Sequence, residues 1–100
     1  MVIAEISIVP IGTKTSSVSK YVAKAIESLR QQSKVNYSLT AMGTLLEGEL
    51  GDVLAVAAKM HNSIFSEGIK RIVTDIRIDD RRDKKVNMDH KVRSVMGKLT

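Results

Sequence analysis

One hundred residues suit a single domain with a modest core, a size at which association between copies adds useful burial. Apolar residues at 43% and charged residues at 27% exclude a disordered chain, and zero cysteine excludes disulfides, thiolate metal sites and cysteine nucleophiles. The formal net charge of +5 invites an anionic partner, yet the basic residues are scattered and only residues 81–85, "RRDKK", form a dense run.

Residues 2–9, "VIAEISIV", alternate: Val2, Ala4, Ile6 and Ile8 share one face, and Ile3, Glu5, Ser7 and Val9 the other. Period two with β-branched content predicts a strand, closed by Pro10 and Gly12. This run has neither a basic leader nor a small-residue cleavage site, so it does not read as a signal peptide. Residues 16–32 predict a helix, with Ser16 or Ser17 as N-cap and an apolar stripe of Val18, Tyr21, Val22, Ala25, Ile26 and Leu29. Residues 36–42 and 44–50 predict two strands of an antiparallel hairpin, with Gly43 supplying a positive φ between them. Residues 52–68 predict a second helix, capped by Asp52, striped by Val53, Val56, Ala57, Met60 and Ile64, and ended by Gly68. Residues 71–78 predict a fourth strand, with Ile72, Thr74, Ile76 and Ile78 opposite Arg71, Val73, Asp75 and Arg77. Residues 86–99 carry a weaker helical pattern in Met88, Val92, Val95, Met96 and Leu99. No segment reaches the roughly 20 apolar residues that span a bilayer, and the chain reads as a soluble cytoplasmic protein.

The order strand, helix, strand, strand, helix, strand predicts an α+β ferredoxin-like domain over residues 1–100. Its antiparallel sheet has the order 4-1-3-2, with two helices on one face and a short C-terminal helix. The other face is left bare. On this phase it shows Glu5, Ser7, Asp75 and Arg77, and a hairpin phase exposing Thr40, Met42 and Glu47 is the working choice. Acids, hydroxyls and one arginine among Ile3, Val9 and Val73 suit a sheet that packs on a second copy and encloses polar groups. Buried charges demand partners, so Arg77 is expected to find Asp75, Glu5, another chain or a ligand.

"PIGT" at residues 10–13, "Y-LT-MGT--EGE" over 37–49, "G--R--T-I-IDDRRDK" over 68–84 and "KVRSV" near the end carry a resemblance. The chain resembles the thiamine-binding-protein family, small ferredoxin-like proteins long catalogued as a domain of unknown function. The resemblance covers essentially the whole chain. It implies a cytoplasmic, non-enzymatic binding protein without a cofactor, dimeric or tetrameric through packed sheets. The implied ligand is thiamine or its hydroxymethylpyrimidine moiety.

An aminopyrimidine needs a carboxylate or hydroxyl acceptor, backbone donors and apolar walls. Glu47 is the first choice of acceptor. Ser7, Thr40 and Thr44 orient polar edges, Met42 and Leu45 supply walls, and Gly43 permits close approach. Thr13 and Arg77 border the site, and Arg81 and Arg82 are candidates for a phosphorylated form of the ligand.

Other functions draw less support. His61 and His90 stand apart without ligand spacing, so neither a metal site nor a catalytic constellation is visible. An RNA-binding module would need aromatic residues on the sheet, and only Tyr21, Tyr37 and Phe65 exist. A purely structural or regulatory interaction domain is the remaining alternative.

Overall fold

The computed structural model describes residues 1–85 and 87–99, so Val86, at the start of the predicted C-terminal helical segment, lies outside the described residues. Two long strands pair through their alternating residues, and two short ones complete the sheet on one side. The sheet joins β1 (Val2–Ile11), β2 (Asn36–Leu39), β3 (Thr44–Gly48) and β4 (Arg71–Asp79) in the order β2-β3-β1-β4. All neighbours are antiparallel. This is the ferredoxin-like α+β sandwich, with α1 (Ser19–Arg30) and α2 (Leu50–Ser63) on one face and α3 (Met88–Met96) at the C-terminus.

Register fixes what each face shows. Val2, Ala4 and Ile6 stand opposite Gly48, Leu46 and Thr44. Their apolar members pack against Tyr21, Ala25 and Leu29 of α1 and Val53, Val56, Ala57 and Met60 of α2. Leu29, Leu46 and Val53 are fully excluded from water, marking the centre of the core. A one-residue slip of β1 would exchange this set for Ile3, Glu5 and Ser7, so hydrophobic burial alone specifies the register.

Several local details depart from the sequence expectations. The predicted Ser16 or Ser17 cap is not formed. The N-cap of α1 is Val18, without a side-chain cap, and its carbonyl accepts from Tyr21 and Val22. Likewise Glu49, not Asp52, is the N-cap of α2, while Asp52 lies in the first turn, where its charge still suits the helix dipole. Gly43 has no positive φ; that conformation belongs to Gly12 and Gly68. Gly43 instead lies against β1, where an added Cβ would come 3.0 Å from the Ile6 carbonyl oxygen. Gly68, at φ 81°, ends a 3₁₀ turn over Ile64–Glu67 that prolongs α2.

Pro10 does not end β1, which continues in register with β4 to the Ile11–Arg71 pair. The Ile6 carbonyl faces the β3 side, and backbone groups in a strand alternate sides, so Pro10 also faces that side. Pairing with β3 stops at Ile6–Thr44, and the missing proline N–H therefore falls on a free edge and costs no ladder hydrogen bond.

Candidate functional site

The exposed sheet face carries Glu5 and Ser7 of β1, Leu45 and Glu47 of β3, and Asp75 and Arg77 of β4, by register. Glu5 stands between Leu45 on one side and Arg77 on the other. Glu47 is the most occluded charged group of this face, at 9% exposure. Its neighbour across the β2–β3 ladder is Asn36, whose Nδ2 donates to Oε1 at 3.0 Å. The other carboxylate oxygen, Oε2, accepts from the backbone N–H of Met88 at 2.8 Å.

Met88 is the first residue of α3, so a sheet carboxylate caps a helix far away in sequence. A negative charge there also meets the positive end of the helix dipole. Asn87 completes the cap by accepting from the His90 N–H at 2.7 Å, and Lys91 pairs with Asp79 at the end of β4. Glu47 thus anchors α3 to the sheet. Along α3, Val92, Val95 and Met96 remain more than half exposed, as does Leu99 just beyond it.

A cleft of about 730 Å³ opens elsewhere, between α1, the tip of the β2–β3 hairpin and the free edge of β1. Its walls are mainly aliphatic, from Val18 at the N-cap of α1, Val22 and Ile26 within it, Ile8 of β1 and Leu39 of β2. Ser7, Thr40, Met42, Gly43 and Thr44, from the sequence-derived set, line it together. Thr44 is buried and forms part of the floor. Thr40 and Met42 lie in the hairpin turn, because β2 ends at Leu39. The Thr40 hydroxyl locks that turn: it donates to the Gly43 carbonyl at 2.8 Å and accepts from the Gly43 N–H at 3.1 Å. Met42, at 84% exposure, forms the rim.

The other expected residues lie apart from this cleft. Leu45, Glu47 and Arg77 belong to the open sheet face. Thr13 sits in the β1–α1 loop, donating to the Thr15 carbonyl at 2.6 Å. Sequence reasoning did not single out Glu27 and Arg30, which bring charge to the cleft from the last turns of α1. Val18, Val22 and Ile26 belong to the apolar stripe that predicts the core, yet they line the cleft. The short reach of β2 and β3 opens this part of the stripe, and no local pattern announces that.

The edge of β1 gives the cleft its polar chemistry. Beyond Ile6 the β3 ladder has ended, and Ile8 presents its N–H and C=O on the same side as the Ile6 carbonyl. A donor and an acceptor therefore stand side by side in an aliphatic surround. Among the described residues, no cluster of His, Asp and Glu is arranged to hold a metal, and no helix is long and apolar enough to cross a membrane.

A family profile described as thiamine-binding protein matches residues 4–96. The UPF0045 protein YqgV of Bacillus subtilis is 50% identical over 98 residues, covering 95% of this chain and 94% of the relative. The crystal structure of protein MJ1052 from Methanocaldococcus jannaschii superposes with a TM-score of 0.86 at 39% identity, covering 98% of this chain and 97% of that one. A Thermotoga maritima structure provisionally described as a thiamine biosynthesis or salvage protein shares the fold, with a TM-score of 0.76 at 20% identity over 94% of this chain and 97% of that one. With nearly its whole length matched by the profile and by close relatives, the chain belongs to the thiamine-binding-protein family.

Proposed function

We propose that this protein is a non-enzymatic binder of thiamine or its hydroxymethylpyrimidine moiety, held in the cleft between α1 and the hairpin tip. The observation that carries the reading is the free edge of β1 at Ile8, a paired backbone donor and acceptor inside an aliphatic cleft. An aminopyrimidine carries the complementary pair, an exocyclic N–H beside a ring nitrogen. Its flat ring suits the Val22, Ile26 and Met42 surfaces, and sulfur adapts to a ring face. Glu27 at the rim favours the cationic thiazolium of intact thiamine. The family's description points to the same ligand.

Assembly belongs to the same proposal. Val9, Ile11 and Val73 on the sheet side, with Val92, Val95 and Met96 of α3, leave apolar surface that a second copy of the chain would cover. The RNA-binding reading is weaker, because Tyr37 shares the register of Leu46 on the helix side, leaving the open sheet without a stacking ring.

Calorimetry and thermal-shift titration with thiamine and with hydroxymethylpyrimidine test the proposal. Binding should raise the melting temperature, and Ala23→Trp, an exposed α1 position lining the cleft, should abolish the response while leaving the unliganded melt unchanged. Absence of stabilisation by either compound at millimolar concentration would remove the proposal. Light scattering checks the assembly separately.

A further inference from the structure

A second concavity, of about 470 Å³, lies at the opposite end of β1, where Val2 and the chain's first residue meet the loop after β4. Four basic side chains line it, Arg81, Arg82, Lys84 and Lys85, against the carboxylates of Glu49 and Asp80. This is the dense basic run of the sequence, an exposed loop that borders a concave surface.

The two arginines are held in place. Arg81 donates from Nε and Nη2 to the two carboxylate oxygens of Asp83, at 2.6 and 3.0 Å. Arg82 grips Asp80 in the same two-pronged way, with Nη2 to Oδ2 at 2.8 Å. Each pairing uses one edge of the guanidinium and leaves the other Nη donors for a ligand. A carboxylate-braced guanidinium loses less rotamer freedom when it binds an oxyanion, and its planar fork matches phosphate geometry. Among the described residues, Lys84 and Lys85 form no ion pair within 4.0 Å.

We infer that this concavity is a binding site for a small, multiply charged phosphoryl anion of the diphosphate class, separate from the cleft at α1. The interspersed acids Asp79, Asp80 and Asp83 would repel a long polyanion, whereas a compact group needs only the few cations in the concavity. The first turn of α2 opens on the same space at Leu50 and adds the positive end of its dipole. The separation follows from strand geometry. Val2 lines this site and Val9 lines the α1 cleft, seven residues apart on one strand, or about 23 Å at ~3.3 Å per residue. Within one chain, therefore, Arg81 and Arg82 do not reach a phosphate carried by a ligand at Ile8.

Amide chemical-shift mapping with inorganic pyrophosphate, against sodium chloride of matched ionic strength, tests the inference. Saturable shifts should concentrate at Leu50, Gly51 and residues 81–85, leaving Met42 and Gly43 unmoved. Replacing Lys84 and Lys85 together by alanine should weaken binding at least tenfold, without lowering the melting temperature, because both side chains are exposed. Shifts scattered equally over Lys14, Lys20, Lys34 and Lys59, an equal response to chloride, or unchanged affinity in the double variant would overturn it. A parallel thiamine titration that moves Met42 and Gly43 reports on the other cleft independently.

Discussion

Removing the Glu47 carboxylate should release α3 while leaving the sandwich intact. In Glu47→Ala, the Met88 N–H and the Asn36 amide each lose an ionised acceptor. A hydrogen bond to a charged group contributes about 1.5–3 kcal/mol, and a negative charge at a helix N-terminus about 0.3–1 kcal/mol. Asn36 is exposed and water replaces its lost partner, so most of the loss falls on the α3 contact, about 2 kcal/mol. Little else compensates: beyond the Asn87 cap and the exposed Lys91–Asp79 pair, α3 buries no residue, and nine residues are too few to hold a helix in water unaided. At about 1.4 kcal/mol per factor of ten, hydrogen–deuterium exchange over residues 87–99 should speed up roughly 30-fold. Amides of β1 and β3 should keep their protection, because Leu46, Ile6 and Leu29 do not depend on α3. Glu47→Gln keeps the shape and one acceptor oxygen, so it should give a smaller acceleration confined to the same segment. Wild-type exchange over 87–99 in Glu47→Ala, or acceleration spread evenly over all strands, would refute the anchoring role.

Gly43→Ala should lower stability by about 1–2 kcal/mol, since its Cβ would press on the Ile6 carbonyl at 3.0 Å and the backbone has little room to yield. For a domain of this size the melting temperature should fall by roughly 4–16 °C, and an unchanged melt would contradict the close approach. In the basic loop, hydrogen bonds from the Arg82 guanidinium hold the Asp80 carboxyl below the usual aspartate range, and Arg81 does the same for Asp83. A folded-state value depressed in this way gives stabilisation that is present above the ordinary aspartate value. It is lost only as pH falls through the folded value, so these pairs should persist from pH 8 down to about pH 4. Carboxyl carbon shifts followed by NMR should show Asp80 titrating at higher pH in Arg82→Ala than in the wild type; an unmoved midpoint would remove the pair.

Much of the fold was legible because its cause is local. Alternation in β1 and β4 and the stripes of α1 and α2 identify the faces that must leave water, and the element order then leaves few ways to stack them. The caps were less legible. Ser17 is an ordinary N-cap residue, but the chain enters α1 at Val18, and the entry point depends on how the loop after β1 returns to the sheet. The role of Gly43 was misread for the same reason: a glycine at a hairpin suggests a backbone torsion, whereas here the requirement is contact with another strand.

Sequence alone determined the class of the domain, most of the core residues and the unusual placement of Glu47 among apolar neighbours, because periodicity and side-chain chemistry are properties of short segments. Tertiary structure decided what those residues meet. It joined Glu47 to a helix 41 positions away, ended the β3 pairing at Ile6 so that the edge at Ile8 is free, and parted the basic loop from the aliphatic cleft by the length of a strand. Such outcomes follow from where chain segments cross, and a one-dimensional pattern holds no term for that.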